Sequence, residues 1–447
     1  MRSSGIRMRA VPAAVLAAAL ATAVLIAAPA TATASTSAST TASEGGTRLF
    51  TPPPSQGAVS QILQLAKAGD VRDAALLARM EATPQAVWFT SGTPEQVRAQ
   101  VRRTMAEAAL ERAEPVLVAY DIPGRDCAQY SAGGATDRAA YDAWISALAA
   151  GIGSARAIVI LEPDALGNLP SACAGFGSST YPFTDADRLA EVGDAVTALE
   201  HQPGASVYLD GTHSAWQSVG TMSQRLLAAG VQQAQGFFLN VSNYQPNAEL
   251  ADYGQWISDC IGMVTDPASF AYGQPSDCAN QYYPATQGDF STWGLTTAWY
   301  AANMGGAVAT THFVVDTSRN GQGPNAMASY AAAPYDQPAS VVSTLASGNW
   351  CNPPDSGLGL RPTTATGVPL LDAYLWVKTP GQSDGQCDAA GGVRAWDYTA
   401  YSQPGWPTAA ADQQVFDPLW GVDDPAAGAW FPQQALQLAQ LAEPPLG

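Results

Sequence analysis

The sequence predicts an α/β chain built as a seven-stranded parallel β/α barrel with long C-terminal loops. Three observations carry this expectation. Seven short apolar runs recur along the chain, helix-like segments separate most of them, and a polar residue closes nearly every run. The runs fall at 86–89, 116–120, 157–161, 206–209, 236–239, 312–315 and 373–377. They are continuously apolar rather than alternating, as expected when helices cover one face of a sheet and a barrel core fills the other. Helical patterns occupy 93–110, 138–150, 186–200 and 253–261. Strand alternating with helix implies parallel pairing. The runs are followed by Asp121, by Glu162 and Asp164, and then by Asp210, Asn240, Asp316 and Lys378. Barrel enzymes place their chemistry at these C-terminal strand ends. From 348 to 430 Pro, Gly, Asn and Trp are frequent and periodicity is weak, which reads as long loops closed by a helix at 432–441.

The N-terminus sets the compartment. Arg2, Arg7 and Arg9 precede an Ala-rich apolar stretch at 11–28, and Ala32-Thr33-Ala34 offers a cleavage site. Residues 1–34 therefore read as a secretory signal peptide. STSASTTASEGGT, 35–47, contains almost nothing to bury and reads as a flexible lead-in. The remainder, 48–447, is expected to be one catalytic barrel in a secreted, extracellular protein. The full sequence carries a formal charge of -18, which disfavours nucleic acid and anionic membrane as partners. Only Lys67 and Lys378 are lysines. Cys127, Cys173, Cys260, Cys278, Cys351 and Cys387 form an even set without CxxC spacing, so disulfides rather than a metal are expected. Sequence alone leaves the pairing open; chain order is the simplest choice.

Four motifs carry carboxylates to the strand ends. YDIPGRDC places Arg125 and Asp126 behind a Pro-Gly turn, and Pro163 ends a strand between Glu162 and Asp164. Asp210 follows a strand in YLDGTH, and Asp384 lies in KTPGQSDG. Read alone, Asp164 is equally an N-cap for a helix over ALGNL, and Glu162 is equally a support beneath the site or a participant. Together, the four aspartates at one barrel mouth suggest crowding, in which ionised neighbours keep one carboxyl protonated. Glycoside hydrolysis with inversion uses that arrangement: an acid protonates the leaving oxygen while a carboxylate activates water. Trp88, Trp216, Trp350 and Trp376 at or near strand ends supply flat apolar faces of the kind pyranose rings pack on. His213 reads as a pocket hydrogen-bond donor. GxSxG, HExxH and a glycine-rich phosphate loop are all absent from the sequence.

VLVAYDIPGRDCAQYSAGG and IVILEPDALG resemble the two signatures of glycoside hydrolase family 6, the inverting cellulases. YLDGTHSAW, NVSNY, FVVDTSRNG, GNWCNPP and LWVKTPGQSDG resemble further blocks in the family's order. The resemblance implies a distorted, TIM-like seven-stranded barrel. It implies Asp164 as general acid, with Asp126 raising its pKa and taking a relayed proton. Asp384 matches the aspartate proposed as base. Asp210 would balance charge, Tyr120 would press the distorted sugar and Arg125 would steady the carboxylates. Trp88, His213, Trp216, Asn240, Trp350 and Lys378 match sugar-binding positions. The resemblance also implies Cys127–Cys173 and Cys351–Cys387, leaving Cys260 with Cys278. Two positions depart from the family. Ala132 stands where many members hold the catalytic water with serine, which turns the relay toward Ser131 or another water route. Gln382 stands where many members carry Glu, removing a charge beside Lys378. The expected protein is an inverting β-1,4-glucanase acting on cellulose or related β-glucans, without metal or organic cofactor, and a monomer. A short segment after Cys127 favours an open cleft and endo action. A cellobiohydrolase is the alternative, and a catalytically weak carbohydrate-binding protein a more distant one.

Overall fold

The computed structural model describes residues 46–173, 183–387 and 393–446. The expected signal peptide and nearly all of the lead-in lie outside them. Each apolar run holds a strand: β1 (Val87–Phe89), β2 (Val116–Ala119), β3 (Ala157–Leu161), β4 (Ala205–Asp210), β5 (Gly236–Leu239), β6 (His312–Asp316) and β7 (Leu371–Leu375). They form one sheet in chain order, and every neighbouring pair is parallel.

Both faces of this sheet are buried, which is why the runs read as continuously apolar. Val118, Ile160, Tyr208, Phe238, Val314 and Leu375 point into the barrel. Their neighbours Leu117, Val159, Leu209, Phe237 and Val315 point outward against Val101, Leu148, Val196, Met222 and Ile257. Those outer partners come from the helices Pro94–Glu111, Arg138–Ile152, Asp185–Glu200, Val219–Ala228 and Asn247–Thr265. Sequence chemistry fixes their starts. Thr93 and Gln96 form a reciprocal capping box before Pro94, and Thr184 and Asp187 do the same for the third helix of this set.

The barrel is distorted at one seam. Among the described residues β7 and β1 share no ladder; Ala86 N–H donates to Trp376 O at 2.9 Å, and the Trp88 indole to Val377 O at 2.8 Å. The last residues of the run expected at 373–377 thus leave β7 to meet β1. Trp376, expected near the sugar, faces away from the barrel interior. It is 1% exposed, packs with Leu77, Met80 and Leu438, and donates its indole N–H to Leu360 O at 3.0 Å. This packing joins the closing helix Pro432–Gln440 to two helices not anticipated from sequence, Gln56–Ala68 and Val71–Glu81.

The disulfides are Cys127–Cys173, Cys260–Cys278 and Cys351–Cys387, in chain order. The first ties the loop after β2 to the loop after β3, and the third ties the segments flanking β7. The long C-terminal loops are pinned by a fully buried ion pair, Arg394–Asp417 at 2.7 Å, with Arg394 also donating to Cys351 O. No helix among the described residues is long and apolar enough to cross a membrane.

Candidate active site

A cleft of about 530 Å³ opens at the C-terminal strand ends. It gathers Trp88, Tyr120, Asp126, Ser131, Asp164, His213, Trp216, Trp350, Lys378 and Asp384 from the expected set. The structure does not bring Arg125, Asp210, Asn240 or Gln382 to its wall.

Three strand-end acids behave as fasteners for backbone. Glu162, Asp210 and Asp316 lie two residues beyond the inward-pointing Ile160, Tyr208 and Val314, at the top of the barrel core. Glu162 is fully buried and accepts from Asp121 N–H at 3.0 and 3.1 Å and from Ile122 N–H at 3.1 Å. Of the two readings left open by sequence, the support beneath the site is the one its contacts describe. Asp210 accepts from Leu166, Gly167 and Thr212 N–H at 3.0, 2.9 and 2.9 Å. It therefore holds the loop that carries Asp164, from behind the cleft. Asp316 accepts from Ser318, Val377, Lys378 and Ser242 N–H, joining the ends of β5, β6 and β7. Asn240 is likewise a support: its amide donates to Asp316 O at 2.9 Å and accepts from Gln245 N–H at 3.0 Å. With both ends engaged and the residue fully buried, it holds the cleft-lining segment Ser242–Gln245 rather than a sugar.

Burial pushes the Glu162 carboxyl from 4.5 up to about 8, so it is largely neutral at pH 7. Glu162→Gln is expected to fold with near-wild-type Tm, whereas Glu162→Ala leaves buried N–H groups unpaired at a cost of about 1–3 kcal/mol. A folded pKa above the unfolded one stabilises below the unfolded value and loses that contribution as pH rises through the folded one. Glu162 therefore lowers Tm between pH 4.5 and about 8. Thermal melts at pH 5 and pH 8 should show the higher Tm at pH 5, and Glu162→Gln should reduce the difference.

Asp164 enters the cleft through a sharp turn. Glu162 and Asp164, flanking Pro163, both adopt positive φ, 52° and 67°, a costly conformation for residues with a Cβ. Residues 163–167 form a turn and no helix follows over ALGNL, which removes the N-cap reading. Arg225 donates to Leu166 O and Gly167 O at 2.6 and 3.0 Å, fixing the far side of the loop. Burial, then the charges of Asp210, Asp126 and Asp384, push the Asp164 carboxyl well above its ordinary range, with Lys378 opposing. This environment favours the protonated form of Asp164.

Asp384 has the opposite environment. Burial alone would raise its pKa, but Arg319 and Lys378 outweigh burial and hold it below the usual carboxylate value. Arg319 Nη1 reaches Oδ2 at 2.8 Å, Lys378 Nζ lies 3.2 Å from Oδ1, and Asn352 N–H donates to Oδ2 at 2.9 Å. Tyr244 OH adds a longer bond to Oδ2 at 3.4 Å. Arg319, Tyr244 and Asn352 were not singled out from sequence, although SRNG, NVSNY and GNWCNPP contain them. Nothing in those motifs shows that they meet at Asp384.

Asp126 is intermediate. Its Oδ2 accepts from Ser131 N–H at 2.7 Å, and burial pushes it to about 6 against the pull of that bond and of Arg125. Arg125 acts on the carboxylates from a distance. Its guanidinium donates to the carbonyls of Thr90, Tyr120 and Ser131 and sits 4.6 Å over the Tyr120 ring. It thereby fixes Tyr120 and the Ser131 turn in the cleft wall.

The strand order places Trp88, on β1, across the mouth from Trp216, beyond β4. Trp88 meets Tyr120 edge-on at 5.4 Å. Trp216 closes onto Gly167, where an added Cβ would lie 2.5 Å from the indole. Trp350 lies 5.7 Å from Tyr130. His213 Nδ1 accepts from Ala215 N–H at 3.3 Å, and burial lowers its pKa to about 4. A neutral ring with that tautomer presents its Nε2–H as a donor. Gln382 lies off the cleft wall, its backbone bridged to Trp430. Among the described residues one group is close enough to share a cation, Cys387, Asp417 and Asp424. Cys387 is in a disulfide and Asp417 is paired with Arg394, so those donors are already engaged.

Residues 44–442 match the model of the glycosyl hydrolases family 6. Endoglucanase A of Cellulomonas fimi is 34% identical over 325 residues, 72% of this chain; the chain spans 54% of that protein's length. Endoglucanase 1 of Streptomyces halstedii is 34% identical over 336 residues, 74% of this chain and 81% of its own. The solved endoglucanase Cel6 of Mycobacterium tuberculosis, in complex with methyl-cellobiosyl-4-deoxy-4-thio-β-D-cellobioside, is 31% identical. The match covers 89% of this chain and 97% of that one, with a TM-score of 0.59. By sequence, by fold and by the order of its strand-end motifs, the chain belongs to the glycosyl hydrolases family 6.

Proposed function

We propose that the protein is a secreted endo-β-1,4-glucanase that hydrolyses cellulose or a related β-glucan with inversion, exported by the leader 1–34 and acting through the single barrel that follows. The observation that carries this reading is the division of protonation within one cleft. The surroundings favour the protonated form of Asp164 and the ionised form of Asp384, in a cleft lined by tryptophans suited to sugar faces. Asp164 donates its proton to the glycosidic oxygen as the C–O bond breaks. Water attacks the anomeric carbon from the opposite face, and its proton passes toward Asp126 beside Ser131. Asp384, both oxygens already engaged, offsets the positive charge that develops on the sugar ring and leaves the attack to water. Tyr120 lies under the reacting ring. Endo action is supported by the endoglucanase names of the relatives above.

Release of reducing sugar from carboxymethyl cellulose tests the reading, with Asp164→Ala as control. Rapid loss of viscosity per reducing end formed is expected; slow loss would favour a cellobiohydrolase, and no release at all a carbohydrate-binding protein. The pH profile adds a signed expectation. The Asp126 charge raises the Asp164 pKa, so Asp126→Asn should move the alkaline limb of kcat/KM to lower pH. An alkaline limb unmoved by that change would remove the coupling.

A further inference from the structure

All the exposed large aromatic side chains among the described residues lie in one stretch: Phe270, Tyr272, Tyr283 and Phe290. Tyr283 is the most exposed of them, at 73%. The loop that carries it is fixed at several points. Asn280 Oδ1 accepts from Tyr282 and Tyr283 N–H at 2.8 and 3.1 Å, and Thr296 Oγ1 donates to Asn280 O at 2.9 Å. Cys278, just before it, is joined to Cys260.

This loop abuts one end of the cleft. The buried Gln281 amide donates to Ser214 O and Gln217 O at 3.0 and 2.8 Å, and Tyr282 OH to Trp216 O at 3.4 Å. Trp216 itself lines the cleft. The surroundings select the ligand's chemistry. From residue 226 to 318 the sequence contains no Lys or Arg, so no cation there recruits an anionic partner. An exposed aromatic side chain on a segment without Lys or Arg, beside a sugar cleft, fits a neutral polymer that presents C–H faces.

We propose that Tyr283 is an additional sugar platform outside the cleft, binding the glucosyl units of a β-glucan chain that extends past Trp216. This rests on the glucanase reading and deepens it. The fixed loop limits the ordering lost when a chain binds. Only long chains reach Tyr283, so its contribution depends on substrate length.

The test compares wild type, Tyr283→Ala and Tyr283→Trp on cello-oligosaccharides of increasing length. For Tyr283→Ala, kcat/KM should be unchanged on the shortest cleaved oligosaccharide and fall roughly three- to tenfold on the longest, with Tyr283→Trp retaining it. Equal loss at every length, or no loss, overturns the proposal. Retardation in a gel containing soluble β-glucan reads the platform apart from cleavage. A wild type that is retarded but cleaves nothing would sink the glucanase reading alone. Equal retardation of wild type and Tyr283→Ala would sink the platform alone. A dimer in sedimentation that Tyr283→Ala dissolves would assign the face to a second copy of the chain and overturn the proposal.

Discussion

Asp164→Ala is expected to lower kcat on carboxymethyl cellulose by roughly 10²- to 10⁴-fold, the usual contribution of a positioned general acid. The size follows from burial and three neighbouring acids, which favour the protonated carboxyl before substrate arrives. The loss should depend on the leaving group. A cellulose chain leaves as a poor alkoxide and needs the proton, whereas an aryl cello-oligosaccharide with an acidic phenol does not. Asp164→Ala should therefore retain most of its rate on a dinitrophenyl substrate. Equal loss on both substrates would assign Asp164 to binding or to loop structure instead.

The second large effect is on stability. Asp384→Ala leaves Arg319 fully buried and Lys378 nearly so, without their shared counter-charge. Breaking one side of a buried ion pair costs about 3–5 kcal/mol, and here two cations depend on one carboxylate. Asp126→Ala is expected to cost much less, because the Asp126 side chain accepts a single backbone hydrogen bond and stands at the cleft wall. Denaturant midpoints of the two variants check the contrast. Similar midpoints would mean that Asp384 is not the electrostatic anchor its contacts describe.

Those two aspartates also mark how far sequence carries. The strands were legible because burial on both faces leaves short uninterrupted apolar runs, and the acids were legible because each follows such a run. What separates Asp164 from Asp210 is not local. Both stand at or just past a strand end, but Asp210 meets the backbone N–H groups of Leu166 and Gly167, more than forty residues earlier. Arg319 is 65 residues from Asp384 and similarly silent until the loops are assembled. Trp376 could have been read better. Ala373, Leu375 and Val377 point into the barrel, so period-two alternation already turns Trp376 outward. The helices Gln56–Ala68 and Val71–Glu81 escaped because their apolar partner is the far end of the chain.

With both Asp384 oxygens engaged and the protonated form of Asp164 favoured, the proposed mechanism makes water the nucleophile, and that is the central claim. Time-resolved proton NMR of cello-oligosaccharide hydrolysis by the wild-type protein tests it directly. The α-anomer of the newly formed reducing end should appear first and then mutarotate. Initial release of the β-anomer would mean that a carboxylate attacks the sugar, and would contradict the assignment of water as nucleophile.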